Sequence, residues 1–261
     1  MRILLTNDDG INAPGFAVLV EIARALSDDV WICAPAEEQS GAGHSLTLNQ
    51  PVRLRQLGER RYCVTGTPTD SVMLALRTVL ADNPPDLILS GVNRGANLGD
   101  DITYSGTVSA AMEGALAGIR SIALSQVLTP IEGREAEADL FAAARAWGDR
   151  VLAPLVEMDF APRTLVNINF PPRAADAVKG IRVVRQGFHD YSRGSVVEGR
   201  DPRGLSYYWF GLHQIEHTPD HGTDLEAIVD GYIAVTPLEP ELTHGPSLAT
   251  LADRFAHNPD R

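Results

Sequence analysis

Short, uninterrupted apolar runs recur along the first 185 residues, most of them followed by a polar loop and a segment of helical spacing. This alternation narrows the fold more than any other feature of the chain. Arg2–Thr6 (RILLT) leads through a Gly/Pro turn into GFAVLVEIARAL, and Val30–Ala34 is ended by Pro35 and a small-residue loop over Glu37–Ser45. Residues 51–65 alternate around Gly58 as a hairpin would, and Thr67-Pro68-Thr69-Asp70 opens a helix with hydroxyls available as caps. Leu87–Ser90 and Ser121–Ser125 read as strands on either side of an Ala-rich helix over Gly106–Gly118. A long helix is expected over Glu135–Val156, with strands over Thr164–Phe170 and Ile181–Arg185. Strands alternating with helices predict an α/β fold with a mostly parallel sheet, and continuous apolar runs fit strands buried on both faces.

Past Gly187 the pattern breaks. Phe188–Gly211 mixes Gly and Arg with the cluster Tyr207-Tyr208-Trp209-Phe210 and has no helical period, which predicts a β-hairpin or extended arm. The expected organisation is one domain over 1–261, with an α/β core over 1–186 and a hairpin arm and C-terminal extension over 187–261. Charge divides at the same place. Of the formal net −12 (34 acidic against 22 basic residues), −7 falls on residues 187–261. Such a field disfavours long nucleic acids and anionic membranes as partners. Lys179 is the single lysine, which argues against P-loop, pyridoxal-phosphate and Schiff-base chemistry. Cys33 and Cys63 sit in apolar strand contexts and read as reduced core residues. The first residues lack the apolar core of a signal peptide and no run is long enough to span a bilayer, so a cytoplasmic location is expected.

Ligands of open parallel sheets bind beyond the carboxyl ends of the strands, so the loops there carry the chemistry. After the first strand stands Thr6-Asn7-Asp8-Asp9-Gly10. Two adjacent carboxylates repel each other and suit a hard divalent cation, although an Asp pair can also be a turn cap and a solvated acid. After the second strand, Gln39-Ser40-Gly41-Ala42-Gly43-His44-Ser45 lets backbone approach a ligand closely and offers the Ser40 hydroxyl. The third loop, Ser90 to Asp101, spaces Gly91, Gly95 and Gly99 four apart around Asn93 and Asn97. It runs through Tyr104 into Ser105-Gly106-Thr107 at a helix start. Free amides, hydroxyls and the positive end of a helix dipole there form an anion site that needs no lysine; the plainer reading is an ordinary N-cap.

Other chemistries fit less well. The first turn has only Gly10 and Gly15, short of a dinucleotide fingerprint, and adjacent Asp8 and Asp9 do not form the Asp-x-Asp of haloacid-type phosphatases. His213, His217 and His221 share helical spacing, but Pro219 interrupts it, so a solvated arm is favoured over a zinc site.

Taken together, MRILLTNDDGINAPG, APAEEQSGAGHSLTL, GTPTDSV and SGVNRGANLGDDITYSGTVSAAMEG, followed by Gly222-Thr223-Asp224 and Asp230 to Leu238, resemble the successive signatures of the SurE family of survival-protein 5'-nucleotidases. The likeness runs from residue 1 to about 238. Ser71 and Ser109 depart from the family's usual residues. The resemblance implies a Rossmann-like core whose C-terminal extension is exchanged between subunits, giving a homodimer or homotetramer built on the arm. It implies one divalent cation per subunit, Mg²⁺ or Mn²⁺, with metal ligands at Asp8, Asp9, Ser40 and Asn93, and phosphate held by Asn97, Ser105, Gly106 and Thr107. The implied activity is hydrolysis of nucleoside monophosphates, with 3'-nucleotides and short polyphosphate as further substrates. The expected mechanism is in-line attack by metal-activated water, Asp8 or Asp9 serving as the catalytic carboxylate. A covalent Asp intermediate, a non-catalytic nucleotide-sensing module and a phosphodiesterase are the competing readings.

Overall fold

A computed structural model describes residues 1–128, 140–189, 194–212 and 222–256. Its centre is a nine-stranded mixed sheet in the order β3-β4-β2-β1-β5-β6-β7-β11-β8. The strands are β1 (Arg2–Thr6), β2 (Asp29–Pro35), β3 (Leu54–Gly58), β4 (Arg61–Val64), β5 (Leu87–Arg94), β6 (Arg120–Gln126), β7 (Leu165–Phe170), β8 (Ile181–Val183) and β11 (Ile233–Leu238). Pairing is parallel except for β3 with β4 and β7 with β11. The expected α/β class with a mostly parallel sheet is the observed one.

The apolar runs are continuous because both faces are covered. Ile3 and Leu5 of β1 join Phe16, Leu19 and Ile22 of helix α1 (Pro14–Leu26) and Val151 and Leu152 of helix α4 (Ala142–Glu157) on one face. Leu4, between them in sequence, points the other way and packs with Val72 of α2 (Pro68–Leu74) and Ala110 of α3 (Gly106–Leu116). Burying a Leu or Ile side chain in this manner contributes roughly 1.5–3 kcal/mol. The N-terminus of α2 carries a complete capping box: Thr67 accepts from Asp70 N, and Asp70 accepts from Thr67 N.

Several boundaries differ from expectation by a residue or two, among them β8, which ends at Val183 and not Arg185; two others have a physical cause in the packing. The strand read as Leu87–Ser90 continues to Arg94, because after an irregularity at Gly91-Val92 the residues Asn93 and Arg94 pair again with Ser125 and Gln126. Gly91 has φ +134°, and a Cβ there would lie 2.2 Å from the Leu124 carbonyl oxygen, so only glycine permits this bulge. Of the helix read as Glu135–Val156, residues 135–139 lie outside the described residues; a turn at Leu140-Phe141 precedes the observed helix over Ala142–Glu157. Phe141 is buried in the α1–α4 core, with its ring where a Cβ on Gly15 would sit.

Residues beyond Gly187 do two different things. Helix α5 (Asp224–Val229) and β11 return to the main sheet, β11 lying between β7 and β8. The hairpin of β9 (Gly194–Arg200) and β10 (Ser206–Leu212) forms a separate two-stranded antiparallel ribbon. Helix α6 (Gly245–Ala256) buries no residue. Among the described residues no helix is long and apolar enough to cross a membrane, and Cys33 and Cys63 are buried free thiols.

Candidate active site

The carboxyl ends of β1 and β5 are neighbours, and the helix that follows β5 begins beside β1. Asp8, 4% exposed, lies just past β1, and its Oδ1 accepts a 2.5 Å hydrogen bond from Thr107 Oγ1. The Thr107 backbone N–H also faces this carboxylate. Such proximity depends on Gly106: a Cβ there would stand 2.8 Å from Asp8 Cβ and 3.0 Å from Pro68 Cγ. The positive end of α3 is thereby brought against the acid.

Burial pushes the Asp8 carboxyl up to about 6, with the charge of Asp9 adding to the rise and the Thr107 bonds opposing it. Asp9 is also raised, first by burial and then by Glu38, against a 2.9 Å hydrogen bond from Arg94 N. Gln39 N donates to the Asp8 carbonyl at 2.7 Å, which ties the β2 loop to the β1 loop. Within that loop Ser40 Oγ donates to Glu38 Oε1 at 2.8 Å. Asn93 Nδ2 donates to Gly95 O at 3.2 Å, which directs the amide toward its own loop and leaves Oδ1 as its acceptor.

These residues fit a hard cation. Asp8, Asp9, Ser40 and Asn93 present oxygens only, and two carboxylates with raised affinity for protons favour a positive charge nearby. One residue before Asp8, the buried Asn7 Oδ1 has no hydrogen-bond partner among the described residues, and neither have the nearby hydroxyls of Thr6 and Ser90. Among the described residues no group of three His, Cys, Asp or Glu side chains is placed to hold a metal.

The residues expected to hold phosphate divide. Ser105 caps α3 by accepting from Val108 N at 3.0 Å, and its carbonyl accepts from Ser109 Oγ. Gly106 opens the helix, where an amide has no carbonyl one turn back to bind. Thr107 spends its hydroxyl on Asp8. Asn97 is buried and faces the sheet, its Nδ2 donating to Ser125 Oγ at 2.7 Å.

Several contributors escaped the sequence reading. Asn169 on β7 accepts from Asn97 N and donates to Asn97 O, both at 2.9 Å, and Asn167 donates to the same carbonyl at 2.8 Å. The signal was present as two asparagines two apart inside the otherwise apolar strand LVNINF, and therefore on one face. Glu38, adjacent in charge to Asp9, carried no signal of its own. His213, His217 and His221 lie outside the described residues.

The family model described as survival protein SurE matches residues 3–193. The 5'-nucleotidase SurE of Erythrobacter litoralis is 73% identical over 98% of this chain and all of its own length. That of Rhizorhabdus wittichii is 62% identical over 95% of this chain and 97% of its own. The crystal structure of the SurE protein from Aquifex aeolicus superposes with a TM-score of 0.81 at 38% identity, covering 96% of this chain and 98% of that one.

Proposed function

Because the chain belongs to the SurE family, we propose that it is a divalent-metal-dependent 5'-nucleotidase, hydrolysing nucleoside monophosphates to nucleoside and phosphate. The observation that carries this reading is the abutment of Asp8 and the α3 N-terminus through Gly106. It sets an acidic, cation-demanding group beside backbone N–H groups that attract an anion. A phosphomonoester needs both at once.

Asp8, Asp9, Ser40 and Asn93 are the residues that would hold the cation, Mg²⁺ or Mn²⁺, one per subunit. When bound, the ion supplies Lewis-acid polarisation of the phosphoryl group and acidifies water. Asp8 or Asp9 orients the attacking water and takes its proton. Of Ser105, Gly106 and Thr107, the Gly106 amide at the helix start faces the equatorial phosphoryl oxygens, where charge spreads in the transition state, and Ser105 and Thr107 hold the turn around it. Asn97, with its amide committed to Ser125, serves the phosphate by keeping the loop in place. These groups address the phosphoryl group itself, which extends the proposal to 3'-nucleotides and short polyphosphate. Buried, reduced Cys33 and Cys63 support a cytoplasmic site of action. The exposed aromatics of β10 support assembly into a dimer or tetramer through the arm.

The test is a panel of nucleoside 5'- and 3'-monophosphates, tripolyphosphate and p-nitrophenyl phosphate, assayed before chelation, in EDTA, and after Mg²⁺ or Mn²⁺ is restored. Phosphate release should disappear in EDTA and return with metal. Activity indifferent to chelation would overturn the metal assignment. Hydroxylamine trapping of labelled substrate should yield no adduct on the water route.

A further inference from the structure

The loop between β5 and α3 carries Asn93 and leads into Ser105-Gly106-Thr107, so its path sets the spacing of the two halves of the site. Three consecutive segments of that loop are anchored differently. At Asn97 the peptide is held by Asn167 and Asn169 of the core strand β7. At Leu98 the side chain is buried with Ala227, Ile228 and Ala234 of α5 and β11. At Gly99 both peptide groups are bound by residues from beyond the loop. Asp224 Oδ2 accepts from Gly99 N at 2.9 Å, and Gln186 Nε2 donates to Gly99 O at 3.0 Å.

Asp224, the first residue of α5 after its Thr223 cap, does more than open that helix. Fully buried, its other oxygen accepts from Gly187 N at 2.8 Å and Leu225 N at 2.9 Å. One carboxylate therefore joins the catalytic loop, the root of the hairpin arm and the start of α5. The packing leaves little slack: a Cβ on Gly99 would lie 3.3 Å from Gly187 O and 3.2 Å from His189 Cδ2, and one on Gly187 3.0 Å from Asp224 Oδ1. From Gly99 a single 3-10 turn over Gly99–Thr103 reaches Ser105 within six residues, so displacement at Gly99 is passed directly to the start of α3.

We infer that Asp224, together with Gln186, is a positioning residue for the phosphate-holding loop, through which the C-terminal extension sets the geometry of the site in the core. This rests on the phosphomonoesterase reading above. Neither side chain touches the reacting atoms; each acts through the Gly99 peptide. A carboxylate suits the post because it accepts from three N–H groups with two oxygens, whereas a carboxamide has one acceptor oxygen and turns an NH₂ toward an N–H.

The experiment uses the full chain loaded with Mn²⁺ and compares wild type, Asp224→Asn, Asp224→Ala and Gln186→Ala. Steady-state kinetics on a nucleoside monophosphate and amide hydrogen exchange resolved by peptide are measured on each. Expected is a graded fall in kcat/KM, carried more by kcat than by KM: about tenfold for Asn and about a hundredfold for Ala, as for a catalytic group displaced by about an ångström. Gln186→Ala should fall in the same direction by a smaller factor. Exchange should rise in the peptide spanning 95–105 and stay unchanged in peptides covering β1 and α1. A merely structural role would instead lower Tm, raise exchange throughout and leave kcat per folded molecule unaltered, and that result overturns the inference. So would wild-type kcat/KM and exchange in both Asp224→Asn and Gln186→Ala. If Asp224→Ala does not fold, those two variants decide. A wild type without chelator-sensitive phosphatase activity would sink the functional reading, and the exchange pattern would then judge the clamp alone.

Discussion

The strand-end loops of the core and the β9–β10 hairpin are both stretches where regular periodicity fails, yet they use their residues in opposite ways. In the core loops, polar side chains are buried and bonded within the chain: Asp8 to Thr107, Asn97 to Ser125 and the β7 asparagines. In the hairpin, apolar side chains are left outside, with Trp209 68% and Phe210 87% exposed. Burying a polar group costs free energy unless a partner is supplied, and exposing a large aromatic forfeits its hydrophobic contribution. A chain that does both gives up stability in two regions, by burying polar groups at the candidate site and by exposing apolar ones on the hairpin.

The sharpest way to break this contrast is Asp8→Asn, expected to lower kcat by several orders of magnitude because it weakens cation binding and removes a candidate base. Near-wild-type turnover at saturating Mg²⁺ or Mn²⁺ would show that the buried acid is structural. Next in size is Gly106→Val. Its Cβ alone would collide with Asp8 and Pro68, so kcat/KM should drop about a hundredfold or more. Normal Michaelis parameters would move the anion site elsewhere.

The same acid gives a stability test of opposite sign. With the folded carboxyl at about 6 and the unfolded one near 3.8, the protonated form is favoured on folding. That contribution is fully present below the unfolded value and is lost as pH rises through 6. In EDTA at pH 7.5, Asp8→Asn should therefore be more stable than wild type, by on the order of 2 kcal/mol. Chemical denaturation of both proteins at pH 5 and pH 7.5 checks it; the gap should narrow at the lower pH. Smallest in its effect on catalysis is the double change Trp209→Ala and Phe210→Ala. Initial rates should stay near wild type, while sedimentation should show a lighter assembly. An unchanged mass would remove the arm from the proposed interface.

Much of this was legible before any coordinates. The strand ends at Thr6 and Pro35, the Asp8-Asp9 pair, the start of α3 at Ser105-Gly106-Thr107 and the hairpin after Phe188 all follow from local pattern, because each depends on neighbours in sequence. The extension of β5 to Arg94 did not, since its bulge is defined by the Leu124 carbonyl on another strand. Nor did the turn at Leu140-Phe141 ahead of α4, where Phe141 is buried in the cluster that α1 lines.

The sequence by itself determined the class of fold, the acidic pair Asp8-Asp9 past the first strand, the helix start at Ser105-Gly106-Thr107 and the absence of any lysine beyond Lys179. These are properties of residue type and spacing, and they need no knowledge of what packs where. Only the tertiary structure decided that Thr107 serves Asp8, that the Asn97 side chain is held by Ser125 of β6 and its peptide by the asparagines of β7, and that Asp224, 125 residues from Gly99 along the chain, holds its amide. Such bonds satisfy buried polar groups, whose partners are chosen by the path of the sheet and not by distance along the chain.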